Sequence, residues 1–415
     1  MKCPLASPAN CSGIALAGFM LTALGLAAQA NAQCQYEVTI LQYPIDCGIG
    51  TVITAGLSLN ENGAVVGRYK CPISKYSQGF LWTAEGGFVG LDPPPGVIEV
   101  IPTDINDQGV ICGTMIVADV GFRGFVYDHG EWTVLPPVID VPGARSSAAA
   151  INNANIVVGK RSLGEQYVPY SAYIWSAEKG FTDLGEEYGP YSSAADVNQA
   201  GQVAISIGPL LEDEAYIWDG ESLTPIGVIP GGFASRPAGI NTYAHVACVG
   251  SIEDKKSGDI LGESFLWDEG DVTLLGHLAG YKCGASSLND YPIVIGGCTA
   301  EDNPNDRRGF LWQRAVMYDM NEVIPPESGV FITRASGINN KGQIIANGTA
   351  PGYGLVVLLL TPILAVGDLD ADCHVGILDL LSLLTDWGQT DSPADLNNDG
   401  IVNVFDLLIL LQNWG

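Results

Sequence analysis

Two stretches near the C-terminus hold the residues of this 415-residue chain best spaced for chemistry: DLDADCHVGILD from Asp368 and DLNNDGIVNVFD from Asp395. Each places oxygen-bearing side chains at positions 1, 3, 5 and 12 of a twelve-residue loop. They are Asp368, Asp370, Asp372 and Asp379 in the first, and Asp395, Asn397, Asp399 and Asp406 in the second. A hard divalent cation takes roughly six to eight such oxygens, so the chemistry this spacing suits is calcium binding, one ion per loop. The backbone carbonyls of His374 and Ile401 at position 7, and the Asn403 side chain at position 9, would add to the ligand sets.

The loops are of the EF-hand type, and the two copies keep one offset of 27 residues from Asp368–Asp395 through Trp387–Trp414. After each loop, Leu380, Leu383, Leu384 and Trp387, with Leu407, Leu410, Leu411 and Trp414, follow helical spacing, which predicts two helices burying these stripes against each other. A segment of this size, residues 366–415, has little core of its own, so calcium would supply much of its folding energy. Residues 368–415 resemble a type I dockerin, whose duplicated loops also end in Asp. The resemblance implies a cohesin-like partner, recognised through loop positions 10 and 11. Here these are the apolar pairs Ile377-Leu378 and Val404-Phe405, which suit either an unusual cohesin or an intramolecular dock on the rest of the chain. The chain also departs from the pattern at Cys373, which stands where the second loop has the turn-making Gly400, so distortion of the first site is expected.

The elements that must carry this tail are repetitive. SLNENGAVVG, DINDQGVICG, AINNANIVVG, DVNQAGQVAI, GINTYAHVACVG, SLNDYPIVIGG and GINNKGQIIANG recur with their asparagines at 60, 106, 152, 198, 241, 289 and 339. Between them runs an aromatic phrase, GFLW to Trp82, GFVY to Tyr127, AYIW to Trp175 and Trp218, SFLW to Trp267 and GFLW to Trp312. A turn and a third short strand follow, as in GGFVGL and GEWTVL. Units of three or four strands spaced by 43 to 50 residues cannot bury both faces alone, and stacked radially they make a β-propeller. The last copy lacks a strand that YEVTILQY, Tyr36 to Tyr43, would supply, giving an all-β domain over 33–363 with seven blades. The repeated aromatics read as packing between sheets, and the repeated asparagines as turn formers. Residues 36–361 resemble the extracellular repeats known as HAF repeats, although the histidine before the family's aromatic is absent at Gln78-Gly79-Phe80, Arg123-Gly124-Phe125 and Ser171-Ala172-Tyr173.

Lys2, an apolar run from Ile14 to Ala28, and Ala30-Asn31-Ala32 before Gln33 read as a secretory signal over 1–32, with lipidation of Cys34 as the rival. Export permits disulfides among eight remaining cysteines; their pairing stays open, with Cys283 and Cys298 placed for neighbouring strands. The apolar run Leu355–Val366 is shorter than the roughly 20 residues of a spanning helix and contains Pro362, so it reads as a buried strand. Against 46 acidic residues stand 18 Lys and Arg, a net charge of −28 that repels nucleic acid.

No H-E-x-x-H, G-x-S-x-G, P-loop or C-x-x-C is present, and the four histidines, His129, His245, His277 and His374, are scattered. The resulting expectation is a secreted interaction protein: a propeller offers a binding surface, with carbohydrate among its candidate ligands, and a calcium-dependent tail attaches it to a partner or cell surface. The alternative is a carbohydrate-active enzyme, since dockerins are commonly borne by polysaccharide-degrading proteins. It needs two facing carboxylates in the propeller funnel, with Asp104, Asp183, Asp196 and Asp219 as candidates.

Overall fold

The computed structural model describes residues 35–41, 53–71, 74–135, 143–162, 170–189, 191–209, 212–253, 258 and 260–415. The expected signal segment and Tyr43 lie outside these residues.

Seven four-stranded antiparallel sheets form a seven-bladed β-propeller. Six blades are simple meanders, over 53–90, 97–134, 145–183, 192–227, 232–274 and 281–319. The seventh joins the ends of the domain, because Tyr36–Ile40 pairs antiparallel with Gly354–Pro362 as its fourth strand. The apolar run before Val366 is therefore a strand, buried from Val356 to Leu360. Of the described cysteines, Cys283 and Cys298 are bonded across neighbouring strands, Cys71 and Cys373 are also in disulfides, and Cys112 and Cys248 are free and buried.

The two repeated phrases meet in the same place in most blades. In the second strand the glycine of the Asn phrase lies opposite the aromatic of the third, as Gly67 faces Phe80, Gly113 faces Phe125 and Gly296 faces Phe310. A Cβ on any of these glycines would stand 2.6–2.8 Å from the facing ring and 2.1–2.3 Å from an inner-strand carbonyl. Glycine is required so that the ring can lie flat across the strand. Phe80, Phe125, Tyr173, Phe265 and Phe310 are wholly buried, which fits the packing role expected of them.

The asparagines do more than turn the chain. Each is buried at the end of an inner strand, and its Oδ1 accepts the N–H four residues on, closing the turn. Its Nδ2 donates to the backbone carbonyl of the corresponding asparagine in the next blade. These bonds run Asn60 to Asn106, to Asn152, to Asn198, to Asn241, to Asn289, to Asn339 and back to Asn60, at 2.9–3.3 Å. Seven side chains thus close a ring of hydrogen bonds around the axis, a role that the turn-former reading lacks.

Beyond the propeller, Ile377–Thr385 and Val404–Gln412 form two nine-residue helices. Their shared core is Val375, Leu383, Ala394, Val402 and Leu410, with Leu380 and Leu407 partly buried against it. The expected stripe is corrected at its far end: Leu384, Trp387, Leu411 and Trp414 remain 44–49 % exposed. The helices stop before either Trp, and the loop residues Val375 and Val402 fill the core instead.

Replacing one member of the ring, as in Asn152→Ala, removes one of the two donors to the Asn198 carbonyl and leaves the turn N–H groups of Ala154 and Ile156 without their acceptor. At about 1–3 kcal/mol per orphaned buried group, a loss of roughly 2–4 kcal/mol is expected in denaturant unfolding. A change below about 1 kcal/mol would show that the ring carries little of the stability.

Candidate functional site

Two places concentrate polar chemistry. The first is the propeller axis. Every inner strand carries a β-bulge three residues before its asparagine. The bulge turns Leu57, Thr103, Ala149, Ala195, Ala238, Ser286 and Ser336 into an axial cavity of about 330 Å3. Asp104 and Asp196 line the same cavity. Asp104 accepts from Ser58 Oγ at 2.7 Å and from Ile151 N–H of the next blade at 2.9 Å. Asp196 accepts from its own neighbour Val197 and from Ile240 N–H of the next blade. Each carboxylate therefore fastens an adjacent bulge.

Burial, with the Asp196 charge second, pushes the Asp104 carboxyl up to about 7 against the hydrogen bonds it receives. Burial also raises Asp196. The other two carboxylates named from sequence are elsewhere: Asp183 pairs with buried Arg161, and Asp219 caps an exposed turn through Glu221 and Ser222.

At the mouth of the axis, the residue after each asparagine builds a second belt. Backbone N–H groups of Glu61, Asp107, Asn153, Thr242, Asp290 and Asn340 donate to side chains of the next blade at 2.8–3.0 Å. Burial foremost, and then Asp107 and Asp290 nearby, raise the Glu61 carboxyl. This belt was not singled out from sequence, although its signal is there: the position after every repeated asparagine is polar.

The second place is the pair of acidic loops. Both take the same backbone path, with Ala371 and Asn398 at φ 57° and 58°, and Cys373 and Gly400 at φ 63° and 94°. Cys373 thus adopts the left-handed turn expected to need glycine, and the first loop keeps its shape. Asp379 and Asp406 are buried and begin the helices. Asp379 Oδ1 accepts from Leu369 N–H and Oδ2 from Gly376 N–H, both at 2.6 Å. Asp406 accepts from Asn397 and Asn403 in the same way.

The loops differ in what faces their centres. In the first, carboxylate oxygens of Asp368, Asp370 and Asp372 all lie within 4.8 Å of one another. Asp368 and Asp370 are 6 % and 1 % exposed, and both oxygens of Asp368 and Oδ2 of Asp370 have no hydrogen-bond partner. Burial, then Asp379 and Asp372, push Asp368 up to about 7; the N–H groups of Cys373 and Ala371 oppose this without reaching hydrogen-bond geometry. Burial followed by Asp372 and Asp379 raises Asp370 likewise. Asp372 pairs with Arg314 on the propeller, and His374 donates its N–H to Asp372 at 2.9 Å.

In the second, exposed loop the same space is filled by the chain's own donors. Asn397 Nδ2 reaches Asp399 at 2.9 Å, Asn403 Nδ2 reaches the Ile401 carbonyl at 2.9 Å, and Asp395 accepts from Asp399 and Gly400 N–H. Those donors hold Asp399 below the usual carboxylate range, Asn397 foremost.

No family model and no curated protein matches the chain. Among solved structures it is similar to the β-propeller domain of the Trilobed protease from Pyrococcus furiosus, with TM-score 0.50, 9% identity, and cover of 75% of this chain and 94% of that one. It is also similar to the acylaminoacyl peptidase of Pyrococcus horikoshii, with TM-score 0.50, 10% identity, and cover of 75% and 51%. A prolyl endopeptidase follows at TM-score 0.51 and 11% identity, with cover of 66% and 42%. The chain spans about half or less of the length of these two peptidases, and the likeness is one of propeller fold alone.

Asp104, Asp368 and Asp370 are raised in the folded state, so the native protein binds more protons than the unfolded chain from about pH 4 to about pH 7. Stability is therefore fullest below that window and falls as pH rises through it. In metal-free buffer the denaturant midpoint should drop from pH 5 to pH 8, and Asp104→Asn should make the drop shallower. A midpoint that rises with pH would contradict the assignment.

Proposed function

We propose that this chain is a secreted, non-catalytic binding protein. In this reading the propeller presents the binding surface, and the C-terminal pair of loops and helices is a calcium-loaded module of the dockerin type that attaches it to a cohesin-like partner. The observation that carries the reading is the first loop. Three carboxylate oxygens of Asp368 and Asp370 are buried without a donor, packed beside Asp372. Burying like charges this closely is costly unless a cation compensates them. Asp368, Asp370, Asp372 and Asp379, with the His374 carbonyl, would hold one calcium ion. Asp395, Asn397, Asp399, Asp406 and Asn403, with the Ile401 carbonyl, would hold the second once the amides of Asn397 and Asn403 turn their oxygens inward. Calcium supplies the positive charge that the loops lack; the chain's own part is to place oxygens and keep water from the first site.

The attachment surface follows the same duplication. Ile377, Leu378, Leu381 and Leu384 are about half exposed, as are their equivalents Val404, Phe405, Leu408 and Leu411. Leu378 and Leu381 line a cavity of about 540 Å3 with Tyr243, Tyr291 and Pro292 of the propeller, whereas Phe405 and Leu408 take no part in it. The second half is thus the one free for a partner. Catalysis in the axial cavity is less favoured, because the oxygens of Asp104 and Asp196 are occupied in fastening neighbouring blades.

Calorimetric titration of the full chain with calcium should register two ions, and Asp370→Asn should remove one. At a hundredfold excess over the dissociation constant, calcium should add about 2.7 kcal/mol to stability per ion. Calcium-dependent retention on an immobilised cohesin should weaken at least tenfold in Phe405→Asp. Failure to take up any ion would overturn the reading.

A further inference from the structure

The first acidic loop does not stand apart from the propeller. Its residues lie on the blade where the ring is closed. Cys373 packs against the core cluster of the seventh blade, which contains Tyr36, Ile344, Leu358 and Leu360, and it is also held in a disulfide. A Cβ on Gly342, in the turn of that blade, would meet Pro362 at 3.1 Å and the Ala371 carbonyl at 3.3 Å. Arg314, in the hairpin of the sixth blade, is paired with Asp372.

The closing strand contributes the remaining piece. Tyr36 is wholly buried, yet its hydroxyl has no hydrogen-bond partner. Tyr36 pairs with Pro362, and Pro362 and the Ala371 carbonyl of the loop border the same glycine, Gly342. An unpartnered buried hydroxyl and unpartnered buried carboxylates thus belong to the same end of the seventh blade. Tyr36 is also where the strand is anchored. Its N–H donates to the Val323 carbonyl at 2.9 Å, and Gln35 accepts from Ile363 N–H at 2.8 Å. Otherwise the strand is held through its five-residue pairing with Gly354–Pro362.

We propose that the cation site of the first loop is completed by the propeller, with the Tyr36 hydroxyl as an added ligand and Arg314 positioning Asp372, so that cation uptake latches the closing strand onto the seventh blade. The inference rests on the calcium reading of that loop and adds its consequence. Four carboxylates, Asp368, Asp370, Asp372 and Asp379, crowd against one guanidinium beside the blade that the strand completes. A divalent cation removes most of that repulsion and offers a ligand position to the phenolic oxygen, directly or through a water. By linkage, whatever the ion gains from the docked strand is returned as stability of the closed ring. Among the described residues, no hydrogen bond or ion pair joins the second loop to Tyr36 or Arg314.

The test is hydrogen exchange of the full chain, read on peptides covering 36–40, with calcium and with chelator. Calcium should slow exchange of these amides at least tenfold. Asp370→Asn should abolish the slowing, while Asp399→Asn in the second loop should leave it intact. Tyr36→Phe preserves the packing and should weaken one of the two calcium sites several-fold in a titration, leaving the other unchanged. If two ions bind and exchange of 36–40 does not respond, the latch is overturned and the calcium reading stands. If no ion binds, both fall.

Discussion

The ring of seven asparagine side chains is the constraint on which the rest depends. Each amide is satisfied at both ends, its oxygen by the turn of its own blade and its nitrogen by the backbone of the next. The inner strands must therefore end at the same height around the axis, and the spacing of blades is set by one hydrogen-bond length. The belt of side chains at the mouth of the axis repeats this arrangement one residue later. The bulges before each asparagine follow from it, since they bring extra backbone N–H groups toward the axis, and Asp104 and Asp196 fasten two of them. The acids of the axis are thus tied to the architecture that surrounds them.

A ring built from repeats must be closed somewhere, and closure is where a propeller is weakest. Here a single short strand, Tyr36–Ile40, completes the last blade. The chain sets a cluster of buried carboxylates against the blade that strand completes: three oxygens of Asp368 and Asp370 lack donors, and among the described residues Arg314 pairs with Asp372. In the proposed reading these charges oppose closure until a cation turns them into a bridge between module and ring. The second loop differs because it is solvated and its carboxylates already accept from the Asn397 amide and from backbone N–H groups.

Much of this was legible in the sequence, for particular reasons. Self-similarity at a near-constant period gives the blades, and the unpaired last repeat gives the closing strand. The placing of Cys283 and Cys298 on neighbouring strands was legible, whereas their bond is seen only in the structure. Other features were hidden because they are relations between repeats. Asn-x-x-Gly reads as a local turn, and nothing in one copy reveals that its amide reaches 46 residues onward. The helical stripe at Leu384 and Trp387 looks buried by periodicity, yet the loop valines take the core, and the helix ends before Trp387. Cys373 in place of glycine suggested a distorted loop, whereas a left-handed cysteine held in a disulfide keeps the turn. That the first loop packs against the seventh blade could not be read from spacing, because 332 residues separate Tyr36 from Asp368.

The most direct measurement is anomalous X-ray diffraction from crystals of the full chain grown with calcium. The account requires an anomalous peak enclosed by Asp368, Asp370 and Asp372, with the Tyr36 hydroxyl turned toward it. Ordered water at that position, with the three carboxylates splayed apart and no anomalous signal, would contradict it.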